Sequence, residues 1–337
     1  MGGKIPVVQC IDMEPDRRRL NPQRPLAWRG CERTYELSRL WREQWQQATG
    51  APAHFSWYFR MDPQVERVYG SATWIVDRYP EMVEDLRRRG DEIGLHVHFY
   101  RWDLERRHWV VDHGNTRWVE HCLASSLAAF RRALGRPCES FRGGDAWMSQ
   151  EAVAQLEASG VRFDLTLEPG QEGYRGLRRW ERHSGWIPDL RGIPQRPYLP
   201  SRANFKKPDS DRRDGMWLIP VSRGEAVGLP GLAFRLYRLL IHRVRLERTW
   251  ITLYLFQEPL LFRQVVARLL DSMEHPCLVL LNHSQAVLRP YFRRNIKKNL
   301  SYLLSRPRAR DFVLSTPHEA MASLKIIPGI NGVGSRD

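Results

Sequence analysis

The sequence predicts an α/β fold, a distorted or incomplete β/α barrel of mostly parallel strands with helices outside. Three observations predict it. Short apolar runs alternate with segments of helical period along most of the chain. Polar residues recur just after the apolar runs, at the strand ends where the βα loops of such barrels gather. And 337 residues at 42% hydrophobic content can bury a large core.

Val7 to Ile11 forms the first expected strand and delivers Asp12, Met13, Glu14, Pro15 and Asp16 to its carboxyl end. A helix from about Glu32 to Gln47, closed by Gly50, precedes a strand over His54 to Phe59, and Arg60-Met61-Asp62 follows it. A helix near Glu81 to Arg89 carries Met82, Val83 and Leu86 on one face and stops at Gly90. It feeds Asp91-Glu92-Ile93-Gly94-Leu95-His96-Val97-His98, a strand with His96 and His98 on the same face at its end. Trp102 to Arg117 is expected to be a loop. Trp118 to Leu134 places Val119, Leu123, Leu127, Phe130 and Leu134 at helical spacing before Gly135, a core stripe.

Cys138 to Phe141 makes a strand ending in Arg142-Gly143-Gly144-Asp145, a helix spans about Gln150 to Ala158, and Val161-Arg162-Phe163 starts a strand with Asp164 near its end. Residues 168–214 break the alternation with Gly, Pro, Arg and Asp, and are expected to form a long loop over one end of the domain. Strands at Met216 to Val221, Thr249 to Phe256, Cys277 to Leu281 and Phe312 to Leu314 resume it, with helices over Pro259 to Met273, Tyr291 to Leu304 and from Pro317. One domain over 1–325 with a flexible tail at 326–337 is the expected organisation.

Neighbouring neutral imidazoles suit a divalent ion of the zinc, cobalt or nickel type, although such pairs also occur on solvated or hydrogen-bonded edge strands. The formal charge is +15, almost all of it from Arg. Such a surface is drawn to phosphate-rich partners, among them an anionic membrane leaflet; the stretch Leu232 to Arg248, where Phe234, Leu236, Leu239, Leu240 and Val244 alternate with arginines, suits that role. Nucleic acid is disfavoured by the lack of zinc-finger spacing, an RNP-like motif or a basic tail. Five widely spaced cysteines without a CxxC argue against a disulfide framework, and no apolar signal segment or bilayer-length run is seen. A cytoplasmic protein, peripheral at most to the inner membrane face, is expected. Oligomeric state is not legible.

The motifs Ile11-Asp12-Met13-Glu14, Asp91 to His98, Ser140-Phe141-Arg142-Gly143-Gly144, Val161-Arg162-Phe163-Asp164, Leu281-Asn282-His283-Ser284 and Phe312 to Pro317 together make the chain similar to the polysaccharide deacetylase family, the metal-dependent group that includes chitin and peptidoglycan deacetylases. The resemblance covers most of the chain and implies removal of an N- or O-acyl group from a carbohydrate or glycan precursor with a bound divalent metal, zinc first. Where the family has two adjacent aspartates, a base and a ligand, this chain has Asp12 and, one residue displaced, Glu14. Where the family's two histidines are four apart, His96 is followed at that distance by Tyr100, so His98 takes the second ligand position. The usual Pro-aromatic pair after the arginine is replaced by Asp145 and Trp147.

On that resemblance Asp12 is the base, Glu14, His96 and His98 hold the metal, His283 is the acid, and Arg142 pairs with Asp12 and keeps it ionised. Asp145, Trp147, Asp164 and Glu168 are the expected substrate contacts, and His113 is a reserve ligand. Read without the resemblance, Asp12 and Glu14 cap a turn before Pro15, Arg142 is one surface arginine among many, His283 caps or packs, His113 and His121 are solvated, and Trp102, Trp109 and Trp147 are core. A non-catalytic glycan-binding barrel and a membrane-surface partner protein are the alternatives on the same fold.

Overall fold

The computed structural model describes residues 4–17, 20–175, 182–242, 249–273, 276–307 and 309–326. Its centre is a sheet of parallel strands with the order Trp217–Leu218, Phe163–Asp164, Ser140–Gly143, β3 (Glu92–Val97), β2 (Ser56–Arg60), β1 (Ile5–Met13), Leu278–His283; Phe312–Leu314 pairs with the amino half of β1. The outer strands curl towards each other. Val221 N donates to Leu167 O at 2.8 Å, Ser222 N to Val279 O at 3.0 Å, Leu253 N to Ser222 O at 2.9 Å and Leu281 N to Leu253 O at 3.0 Å, so irregular segments bridge the two sheet edges. The result is a distorted β/α barrel.

The alternation of side chains along each strand sorts the chain into inside and outside. Val7, Ile11 and Met13, Trp57 and Phe59, Ile93, Leu95 and Val97, Phe141, and Leu278 and Leu280 all belong to one apolar cluster that packs under the surrounding helices. Val8, Cys10, Tyr58, Val279 and Leu281 form the second cluster, the barrel interior. β1 is buried along all nine residues because both of its faces are covered. Gly94 keeps the inward parity but has no side chain for a steric reason: a Cβ there would stand 2.5 Å from Ser140 O and 2.7 Å from the Tyr58 ring.

Outside the barrel the helices follow their signals. Arg29–Thr49 ends at Gly50 in the left-handed region at φ 67°, and Thr116–Leu134 ends at Gly135 at φ 68°. The first of these starts three residues before the expected Glu32, with no side-chain cap at Trp28 to mark the place. A helix at Pro63–Tyr69 was not expected, although Asp62 caps it through Gln64 N and Val65 N and Pro63 opens it, a legible start signal.

Three expectations need correction. Trp102 to Arg117 is not a plain loop: Tyr100–Asp103 and His108–Asp112 pair antiparallel, and Arg182–Ser184 joins them in a small sheet. The described residues of 168–214 are mostly irregular but also contribute the pair Tyr174–Arg175 with Trp186–Ile187. The strand expected over Thr249 to Phe256 is reduced to Trp250–Thr252 plus a bridge from Tyr254 to Leu281. The expected tail, from 327 onward, lies outside the described residues, as do 243–248 of the basic stretch.

One buried ion pair fixes the entry to β3. Arg42 Nη2 donates to both Asp91 oxygens at 2.9 and 2.7 Å, and Asp91 also accepts from Phe55 N and Trp57 Nε1, both at 2.9 Å. A helix and two strands thus meet on one carboxylate. Asp91→Ala leaves the Arg42 guanidinium buried without its partner, and we expect a loss of about 3–5 kcal/mol of stability, read from the midpoint of urea unfolding.

Candidate active site

The inward parity carries past the last apolar residue of each strand, and there it presents polar groups. Asp12 follows Val8 and Cys10, Arg60 follows Tyr58, His96 follows Gly94, Arg142 follows Ser140, and His283 follows Leu281. Glu14 and His98 stand one residue beyond the ends of β1 and β3. All of these but Arg60 line one cleft of about 430 Å³, Asp12, Glu14, His96, His98, Arg142 and His283 together with Asp145, Glu168, Tyr254, Gln171 and Gln285.

The geometry around Asp12 is set by Arg142, whose Nε donates to Asp12 Oδ1 at 2.8 Å while Nη1 donates to Leu165 O at 2.6 Å. Asp12 Oδ2 is buried with no hydrogen-bond partner, and it faces His283 Nδ1 at 3.4 Å and His96 Nε2 at 4.0 Å. A fully buried carboxylate oxygen left this way is poised to accept a proton or a cation. Burial works against the Arg142 charge, but Asp12 outweighs it and raises the guanidinium above its ordinary value.

Glu14, His96 and His98 converge closely enough to share one ion. His96 Nδ1 donates to Arg142 O at 2.9 Å, which leaves a lone pair on Nε2; that atom lies 3.1 Å from His98 Nε2, and His98 Nε2 lies 3.7 Å from Glu14 Oε2. Bond lengths of about 2.0–2.2 Å in a tetrahedral zinc site put ligand atoms roughly 3.3 Å apart, close to both of these spacings. Burial lowers both imidazoles' proton affinity, and at His98 the Arg60 charge lowers it further, which favours the neutral ligand form. At Glu14 burial acts upward, but hydrogen bonding by His283 and His98 outweighs it and holds the carboxyl well below its ordinary value.

Behind the first ring of groups stands a set that aims them. His98 N donates to Asp62 Oδ2 at 3.0 Å, Arg60 Nε donates to the same oxygen at 2.7 Å, and Arg60 Nη1 lies 3.8 Å from Glu14 Oε2. Asp145, in the left-handed region at φ 60°, places Oδ2 3.6 Å from His98 Nδ1. His283 donates from Nδ1 to Glu14 Oε1 at 3.0 Å and stacks on Tyr254 at 5.6 Å. Burial lowers and Glu14 raises the His283 proton affinity, with a net rise. Glu168 accepts from Thr252 Oγ1 at 2.8 Å and Tyr254 O–H at 3.2 Å.

Two of the expected substrate contacts are not brought to the cleft. Asp164 has the outward parity, between the interior residues Phe163 and Leu165, and its carboxylate accepts from Thr166 N at 2.9 Å and Thr166 Oγ1 at 2.6 Å. Trp147 is buried between Phe99 and His113, with the His113 ring stacked on it at 4.9 Å, so neither it nor the reserve His113 lines the cleft. His121 is exposed on its helix. Sequence reasoning passed over Arg60, Asp62, Tyr254 and Gln285. The first had a signal, since it ends β2 with the same parity as the other site residues; Tyr254 and Gln285 had none, because the first follows a strand too irregular to count along.

No family model and no curated protein matches the chain. Solved structures do. A protein from Mycobacterium smegmatis described as a polysaccharide deacetylase matches at a TM-score of 0.50 and 11% identity, covering 97% of this chain and 91% of that one. A glycoside hydrolase/deacetylase from Parabacteroides distasonis matches at 0.53 and 14% identity, covering 93% and 70%. The chain has the barrel fold of these proteins.

His98 fits only because residue 144 is glycine. A Cβ on Gly144 would stand 2.2 Å from His98 Nδ1 and 2.5 Å from Cε1. Gly144→Ala should therefore push the imidazole out of register and weaken divalent-ion binding by about 10- to 100-fold, the range for disturbed support of a ligand, while a thermal melt remains cooperative; isothermal titration with zinc or cobalt reads the first effect.

Proposed function

We propose that the chain is a metal-dependent hydrolase that removes an acyl group, acetyl first among them, from a carbohydrate or glycan precursor. The observation that supports it most is the convergence of Glu14, His96 and His98 beside Asp12, whose second oxygen is buried without a partner. The barrel shared with structures described as deacetylases agrees with that chemistry, and the donor set, two imidazoles and a carboxylate, is of the kind found in catalytic zinc sites.

The residues divide the work. Glu14, His96 and His98 would hold the divalent ion, which when bound would lower the pKa of water and polarise a carbonyl. Asp12, oriented by the Arg142 hydrogen bond to Oδ1, takes the proton of the attacking water on Oδ2. His283 lies 3.4 Å from that oxygen and supplies a proton to the departing amine or alcohol. Asp145 and Arg60 hold the ligands in place, and Glu168 and Tyr254 are the polar and aromatic groups that meet the sugar.

A base and a ligand fail in different ways, and that separates Asp12 from Glu14. Asp12→Asn should retain metal and lose about 10²–10⁴-fold in rate on acetylated amino-sugar oligomers. Glu14→Gln should lose metal, read by elemental analysis of protein purified without chelator, and recover part of its activity in excess ion. Exchange of the two phenotypes would exchange the roles; parental metal content and turnover in both would leave a barrel that binds glycans without cleaving them.

A further inference from the structure

The helix Gly228–His242 carries the largest unexplained feature of the surface. Leu229, Leu232, Leu236, Tyr237, Leu239, Leu240 and Ile241 are all exposed, Leu229 by 81%, Leu240 by 75% and Ile241 by 65%. At 3.6 residues per turn these positions cover more than half of the helix circumference. The protein covers only the remaining side. Phe234 packs on the core, and Gly231 sits so close to the Ala226 carbonyl that a Cβ would stand 2.2 Å from its oxygen. Exposed apolar surface on this scale marks an interaction site in a soluble chain.

The composition says what covers it. No Asp or Glu occurs between Ala226 and Glu247, while Arg235, Arg238, Arg243 and Arg245 fall in that span. Two copies joined here would bring together stretches whose sequence carries only basic charge, and a helical seam between copies needs only a narrow stripe rather than so wide an arc. Fifteen helical residues extend about 22 Å, short of the roughly 30 Å hydrocarbon core, and no described helix is long and apolar enough to cross a membrane. A broad apolar arc with arginines and no acids, too short to span, suits a helix lying in the plane of a lipid surface. We infer that Gly228–His242 docks the protein on a membrane leaflet rich in anionic headgroups, with the leucines in the acyl boundary and the acid-free basic stretch drawn to the phosphates. This does not depend on the hydrolase reading.

Co-sedimentation of the full chain with vesicles tests it. With phosphatidylglycerol-containing vesicles at low salt the protein should pellet; with phosphatidylcholine alone, or at high salt, it should pellet much less, since screening removes the headgroup attraction. Leu236→Glu and Leu240→Glu, both at exposed positions and so expected to fold, should each lower the partition by about tenfold or more. Parent protein that stays in the supernatant with anionic vesicles at low salt, or variants that pellet as well as the parent, would overturn the inference. So would a parent that self-associates without lipid and variants that do not, since a second copy would then be the occupant.

Discussion

The structure depends on a guanidinium that crosses the barrel. Arg142 and Asp12 sit on strands separated in the sheet by β3 and β2. In a flat sheet, three spacings of about 4.8 Å would hold those backbones roughly 14 Å apart, farther than the two side chains reach together. The pair forms only when the sheet curls, and once formed it resists uncurling, because parting would leave two buried charges unpaired, a large penalty. The same curl brings His96, from the strand between, and His283, from the neighbour on the other side of β1, towards the Asp12 carboxylate. Barrel closure and site assembly are one event.

Much of this was legible because a strand is a counting device. Once Val7 to Ile11, Ile93 to Leu95 and Cys277 to Leu281 are taken as strands, the polar residues at their ends share a rim, and Asp12, Glu14, His96, His98, Arg142 and His283 do line one cleft. Counting also explains the misses. Asp164 was placed by nearness to a strand end without regard to parity, and parity turns it outward onto Thr166. Arg60 ends β2 at the same inward parity, so the same count reaches it. Trp147 follows two residues at positive φ, Asp145 and Ala146, where alternation no longer holds, and its ring goes to Phe99 and His113. The small sheet was illegible for another reason: one of its three strands, Arg182–Ser184, lies some seventy residues from its partner His108–Asp112, and no local pattern announces so distant a pairing.

The spacing of the histidines shows how a fold absorbs a departure from a motif. With Tyr100 four residues after His96, the second imidazole at this end of the sheet is that of His98, just beyond β3, where the backbone needs a fresh anchor. Asp62 supplies it by accepting from His98 N, and is itself held as the cap of the Pro63 helix and by Arg60. Room for the ring comes from Gly144, and Tyr100 lies tilted against His98 at 5.6 Å and under the Arg60 guanidinium. Each of these is an ordinary local device. Together they make a two-residue histidine spacing compatible with a shared ion.

Charge runs in opposite senses at the cleft and on the surface. The chain carries +15, yet the cleft is lined by four carboxylates, Asp12, Glu14, Asp145 and Glu168, against one guanidinium, Arg142. Behind that lining Arg60 stands 3.8 Å from Glu14 and Arg223 3.7 Å from Glu168, so two further guanidiniums offset part of the negative charge. The lining also bears on what enters. A polyanion attracted to the basic exterior would meet repulsion at the mouth of the cleft, whereas a neutral or cationic molecule would meet carboxylate acceptors for its hydroxyl or ammonium groups. An exterior that attracts phosphate and a pocket that refuses it are compatible only if the two surfaces serve different partners.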